Sequence, residues 1–390
     1  MSPHPLYRAC HLSVIFLLAF CSVKTGLASE HPASHIQKVK DIIVYKDEIF
    51  YSSFPSIVRR PGGELLVAFR RAPDRRLFGE PRTTHTDPNS YIMLVRSRDD
   101  GSTWSPAELV YAHPLGGSQD PCMIQLSDHS ILCSSYGWAL TPAYTSKDAV
   151  RLGNFSFLGG YLLRSKDGLT WQAPIAPPPM PGSTSRDILG NVIPAYNRGA
   201  MCQGKDGRLY WAVVAHNGTG SKTGTHLLIS SNLGQSWESS CPIATDEKVT
   251  FNETSLYETP KGALVAFMRT EGFDDHTATT RSLDHGKSFQ HWQDTGFQGH
   301  PHFALRLPDQ RVLLVYGYRH PAFGVRARVL EAECGDVGTS PEIILRDDGG
   351  NGDLGYPWAT MLSKSQILVV YYFNIADGTR YIAGTILTLN

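Results

Sequence analysis

Six polar residues stand where the chain is about to become apolar: Asp120, Arg198, Glu253, His300, His302 and Tyr356. A strand entering a core ordinarily begins apolar. Carboxylate, guanidinium, imidazole and phenol groups at these openings therefore point to one shared polar pocket that faces a polar ligand. His300 and His302 alternate along one strand, so both can face the same mouth.

Repetition is what can bring such scattered positions together. FPSIVRRPGGELLVAF from Phe54, DPCMIQLSDHSILCSS from Asp120, RGAMCQGKDGRLYWAVV from Arg198, NETSLYETPKGALVAFM from Asn252, HPHFALRLPDQRVLLVY from His300 and YPWATMLSKSQILVVYY from Tyr356 share one pattern. Each runs from a polar opening through an apolar strand and a Gly/Asp-type turn into a second apolar strand. A shorter string interleaves: SRDDGSTW at Ser97, SKDGLTW at Ser165, SSNLGQSW at Ser230 and SLDHGKSF at Ser282. There a strand runs into a turn whose Asp or Asn, Ser/Thr and Gly suit tight backbone, followed by Trp104, Trp171, Trp237 or Phe289 to pack on a neighbour. These strings are structural and carry no catalysis.

Units spaced by about 50–80 residues predict an array in which each covers its neighbour's apolar face. Six of them fit an all-β fold, a single six-bladed β-propeller over residues 36–390. Ile36 to Tyr45 is an orphan strand, and Tyr381 to Leu389 ends the chain without completing a sheet. Pairing the two would close the ring and remove an open edge. Inner strands of a propeller converge on a channel, which places the neighbourhoods of Pro55, Asp120, Arg198, Glu253, His300 and Tyr356 around one mouth.

Lys plus Arg and Asp plus Glu balance at 36 each, which argues against nucleic acid as a partner. Residues 1–28 read as an export signal: Arg8, then apolar Leu12 to Val23, then small residues around Gly26-Leu27-Ala28. The apolar run is too short for stable membrane insertion. Bulky Phe20 in Leu18 to Cys21 favours a secreted or periplasmic product over a lipid-anchored one. Cys10 and Cys21 leave with the signal, and the remaining five include Cys122 and Cys133, which either pair across a hairpin or serve as small buried residues. No spacing suggests a metal site, and no cofactor is implied. Asn154, Asn217 and Asn252 begin glycosylation sequons, the last too close to the pocket for use.

The interleaved string is similar to the Asp-box of the sialidase superfamily, and four copies within a six-unit β-array make the mature chain resemble that family almost throughout. The resemblance implies roles residue by residue. DPNSYIMLVRS places Asp87 at the acid/base position ahead of the first Asp-box, and NETSLYETPKGALVAFMR matches the family's glutamate and following arginine with Glu253 and Arg269. GYRHPAFGVRARV supplies a further arginine as Arg326, ahead of Arg328 and Arg319, and LGYPWATML places Tyr356 as nucleophile. A phenol with an ordinary pKa near 10 needs an adjacent base, which Glu253 would be, while Asp87 would protonate the leaving oxygen and then activate water. Arg71 fits a further family position, and the polar openings add Asp120, Arg198, His300 and His302 as substrate contacts, although the HPH setting departs from the family pattern.

The family carries Phe-Arg-Ile-Pro at the first blade, where this chain has Ser52-Ser53-Phe54-Pro55. Ser53 cannot hold a carboxylate as a guanidinium does, and Arg71 or Arg70 would have to compensate. The reading is thus a retaining exo-glycosidase of the sialidase type, with terminal sialic acid first among carbohydrate substrates. A propeller acting on a uronic or neutral sugar by hydrolysis or elimination, and a non-catalytic carbohydrate-binding propeller, are the alternatives.

Overall fold

Six antiparallel sheets surround a central channel in the computed structural model, which describes residues 36–80, 85–140, 151–152, 155–216, 222–376 and 378–390. Blade 1 comprises Phe50–Arg59, Leu65–Pro73, Tyr91–Ser97 and Glu108–Tyr111. In blade 2 the inner edge is split into Gly117–Ser118 and Cys122–Gln125, both paired with Ile131–Leu140, which pairs in turn with Phe155–Ser165. Blade 3 holds Cys202–Gln203, Leu209–His216, Thr223–Ser230 and Glu238–Ala244, and blade 4 holds Thr250–Glu258, Leu264–Glu271, His276–Ser282 and Gln293–Gln298. Blade 5 is His302–Arg306, Val312–Tyr318, Gly324–Leu330 and Glu342–Arg346. Gly355–Met361, Gln366–Phe373 and Tyr381–Leu389 make blade 6, and Ile36–Tyr45 is its outermost strand. Ile36 lies opposite Leu389 and Tyr45 opposite Ile382, so the orphan strand closes the ring as the sequence implied. The proposed export signal and the sequons at Asn154 and Asn217 lie outside the described residues.

The core sits between blades. Second strands are buried on both faces, as in Leu65 to Phe69, Val312 to Tyr316 and Ile367 to Phe373, which explains their unbroken apolar runs. Each such side chain contributes about 1.5–3 kcal/mol on burial. The Asp-box turns add fixed staples between blades. In the fourth, Ser282 Oγ accepts from Gly286 N–H at 2.9 Å and Asp284 Oδ1 accepts from Ser288 N–H at 3.0 Å. Gly286 has φ +81°, and a Cβ there would stand 2.5 Å from Leu227 of blade 3, so only glycine lets the turn dock. All five described cysteines are free thiols; Cys122 lies opposite Ser134 and Cys133 opposite Met123, so the two are not cross-strand partners.

Candidate active site

Three inner strands carry the same irregularity. In blade 1 the register slips between Ser53 opposite Arg70 and Ser56 opposite Ala68; in blade 4 between Asn252 opposite Arg269 and Ser255 opposite Phe267; in blade 6 between Gly355 opposite Tyr372 and Trp358 opposite Val370. One extra residue on the inner strand is a β-bulge, which re-aims a side chain. The first residue inside each bulge has positive φ: Phe54 at +56°, Glu253 at +38° and Tyr356 at +53°. Such backbone is costly for non-glycine residues, on the order of 1–3 kcal/mol each, and surrounding structure must hold it.

Asn197 and Arg198, consecutive residues ahead of blade 3's inner strand, do that holding. The Asn197 amide donates to Thr254 O at 2.7 Å and accepts from Thr254 N–H at 3.2 Å, clasping the blade 4 bulge. Arg198 crosses to the other two, donating to Pro55 O at 3.1 Å and Tyr356 O at 3.4 Å. Its guanidinium also donates to Cys122 Sγ at 3.1 Å and lies 5.2 Å from the Tyr356 ring centroid and 5.0 Å from that of Trp358.

The three re-aimed residues line one cavity of about 400 Å³ together with Asp120, Arg198, Arg269, Arg319 and the aromatic rings of Tyr136, Trp138 and Tyr196. At its centre the Tyr356 hydroxyl donates to the Glu253 carboxylate. Arg269 pairs with Glu253 at 2.9 Å and stands 3.5 Å from the Tyr356 hydroxyl. Arg319 lies 4.9 Å from the Tyr356 ring centroid, fixed by bonds to Leu354 O at 3.0 Å and the Tyr372 hydroxyl at 2.6 Å. Tyr372 donates in turn to Asp353, which also accepts from Tyr51 and pairs with His85 and Arg380.

Burial alone would raise the Glu253 pKa, but Arg269, the Tyr356 hydroxyl and Arg319 outweigh it and hold the carboxyl below its ordinary range. Burial and the Glu253 charge push the Tyr356 phenol well above its ordinary value, against Arg319 and Arg269. The resting pair is therefore a neutral phenol bonded to an ionised carboxylate.

Other residues expected at the mouth lie elsewhere. Arg326, expected as the further clamp arginine, donates to Arg346 O and to Ala322 O at 3.0 Å; Arg319, which directly follows the second strand of blade 5, reaches the cavity instead. Arg71 donates to the Tyr45 hydroxyl at 3.1 Å and covers the Phe50 ring, so it does not compensate for Ser53. His300 and His302 are buried outside the cavity lining. His302 bonds Thr277 at 2.9 Å, and burial pushes its pKa down to about 3, so it is neutral. The inner strand of blade 5 has no bulge, its register with Val312–Tyr318 running unbroken from His302 opposite Tyr316 to Arg306 opposite Val312, and nothing turns either imidazole inward. Asp87 is gripped by Arg75 at 2.5 and 2.9 Å and by Asn89 N–H at 2.8 Å; its neighbour Thr86 lines the cavity instead.

Sequence reasoning missed His85, Gln119, Tyr136, Trp138, Tyr196 and Asn197, all of which line the cavity. The alternation of aromatic and small residues in SSYGWAL was the available signal for Tyr136 and Trp138. Among the described residues, no group of three or more His, Cys, Asp or Glu is placed to hold a metal ion, and no helix is long and apolar enough to cross a membrane.

Comparison with known proteins agrees with this architecture. The BNR repeat-like domain matches residues 149–369, and none of the curated proteins matches the chain. The crystal structure of a protein of unknown function from Dyadobacter fermentans DSM 18053 is similar, with 53% identity and a TM-score of 0.89 over 91% of this chain and 100% of that one. The Hadza microbial sialidase Hz136 is 17% identical, with a TM-score of 0.59 over 86% of this chain and 65% of its own. The Trypanosoma rangeli sialidase in complex with the inhibitor DANA is 13% identical, with a TM-score of 0.62 over 91% of this chain and 60% of its own. This chain thus spans somewhat less than two thirds of those two sialidases and shares their propeller fold. With the domain matching more than half of its length, the chain belongs to the BNR repeat-like domain family.

Proposed function

We propose that the protein is a retaining exo-glycosidase of the sialidase type, releasing a terminal acidic sugar, sialic acid first among candidates, from a glycoconjugate. The observation that carries this reading is the hydroxyl-to-carboxylate bond between Tyr356 and Glu253, two residues at equivalent bulges of blades 4 and 6, inside a cavity ringed by Arg198, Arg269 and Arg319. Glu253 takes the phenol proton as Tyr356 attacks the anomeric carbon, giving a glycosyl-tyrosine that water then hydrolyses. A neutral nucleophile avoids the repulsion that a carboxylate would meet from an anionic sugar. Arg269, 3.5 Å from the Tyr356 hydroxyl, and Arg319, over the Tyr356 ring, would hold the substrate's carboxylate. For the proton donor two carboxylates compete: Asp87 by family position and Asp120 by its place in the cavity. Export, which would bring the enzyme to extracellular glycans, rests on the composition of residues 1–28.

The test is fluorophore release from a 4-methylumbelliferyl sialoside by the purified chain, beside Tyr356→Phe and a panel of uronides and neutral glycosides. Sialoside turnover lost in the variant supports the reading. Turnover of a different sugar, still dependent on Tyr356, keeps the chemistry and changes the substrate. Silence on every glycoside counts against a hydrolase and favours a carbohydrate-binding propeller.

A further inference from the structure

We infer that Asp120, not Asp87, is the proton donor and acceptor of this reaction; the inference rests on the glycosidase reading above. Both oxygens of Asp87 are occupied by the Arg75 guanidinium, with Asn89 N–H adding a third bond, so a proton there would break a bidentate ion pair. Asp120 lines the same cavity as Tyr356 and Glu253 and is 2% exposed. Its Oδ2 accepts from the Tyr136 hydroxyl at 3.2 Å, while its Oδ1 is buried without a hydrogen-bond partner. Gln119 Nε2, Arg198 Nε, Arg269 Nε and Asn252 Oδ1, all from cavity-lining residues, are buried and unpartnered in the same way. Buried polar atoms ordinarily have partners, and this set is what a polyhydroxylated ligand would satisfy.

The electrostatic setting separates the two cavity carboxylates. Burial, reinforced by the Glu253 charge, raises Asp120 against the opposing pull of Arg198 and His85, whereas Glu253 is held low. Tyr136, Tyr356, the buried Cys122 thiol and the buried Arg70 are further titratable groups facing Asp120. Two carboxyl groups pushed apart in this way suit one acid and one base.

In the first half-reaction the Asp120 O–H bond breaks as its proton passes to the glycosidic oxygen. The anomeric C–O bond breaks with its electron pair going to that oxygen. Tyr356 Oη bonds to the anomeric carbon as its proton moves to Glu253. In the second half-reaction the Asp120 carboxylate takes a proton from water, whose oxygen replaces Tyr356 at the anomeric carbon, and Glu253 returns its proton to Tyr356 Oη.

Leaving-group dependence tests the assignment. The probes are the 4-methylumbelliferyl glycoside and a disaccharide of whichever sugar the panel turns over, sialyl-galactose if it is sialic acid. Asp120→Asn should lose roughly 10²–10⁴-fold on the disaccharide, whose sugar alkoxide must be protonated to leave, and far less on the aryl glycoside. Its alkaline limb of kcat/KM on the disaccharide should flatten. In Asp120→Ala, added azide should restore aryl glycoside turnover and give a glycosyl azide of retained configuration. Asp87→Asn should affect both probes alike. Leaving-group-dependent loss and azide rescue at position 87 with neither at position 120 overturns the assignment while the glycosidase reading stands; absence of any Tyr356-dependent turnover overturns both.

Discussion

The two ends of each blade solve opposite problems. At one end the Asp-box turns adopt positive φ with glycine, as at Gly234 and Gly286, and satisfy their backbone with the turn's own Ser and Asp or Asn side chains. At the other, three inner strands force positive φ onto a phenylalanine, a glutamate and a tyrosine, and all three bulges are clasped by Asn197 and Arg198 from ahead of blade 3. A turn that is locally self-sufficient serves assembly. Backbone strain sustained by distant side chains instead holds Phe54, Glu253 and Tyr356 facing one cavity.

That contrast can be broken experimentally. The largest effect is expected from Tyr356→Phe, which should lower turnover by roughly 10⁴–10⁶-fold while the thermal midpoint stays close to that of the parent. Glu253→Gln comes next, at about 10²–10⁴-fold. Because the folded-state pKa of Glu253 is depressed, its charge contributes stability above the ordinary glutamate range, and that contribution is lost as pH falls through the lowered value. Activity should fall through the same window, since the base must be ionised, and pH profiles of kcat/KM and of the urea midpoint should both lose this acidic limb in the glutamine variant. Asn197→Ala, which releases the blade 4 bulge without touching the reacting atoms, should cost about 10²-fold in kcat through misplacement of Glu253. At the opposite end Gly286→Ala should leave kcat unchanged and lower stability by about 1–3 kcal/mol in urea unfolding. Equal loss of activity in Gly286→Ala and Asn197→Ala would erase the distinction between the two ends.

The difference between the ends also governed what could be read from the chain. Asp-boxes are local, so Ser97 to Trp104 and its three relatives announced their turns, their spacing announced the blades, and the orphan Ile36–Tyr45 found its partner. A bulge is a relation between two strands, and no single strand displays it. Pro55 and Pro357, prolines inside strands otherwise apolar, were the only trace, since proline within a sheet is confined to edges and bulges. His300-Pro301 carries a similar mark ahead of an inner strand with no bulge, and both histidines, read as polar strand openings, lie outside the cavity lining. Arg326 was preferred to Arg319 because spacing cannot say which way a strand turns its side chains, and the hold of Arg75 on Asp87 depends on a short helical turn, Arg75–Phe78, that no periodicity revealed.

Blade 6 unites the first described strand with the last described one, and it carries Tyr356. Ile36–Tyr45 is synthesised long before its partner Tyr381–Leu389, so the sheet that presents the phenol stays incomplete until the last described strand is made. Under the glycosidase reading proposed above, a chain stopped before Tyr381 would carry most of the described blades yet lack the completed sheet around Tyr356.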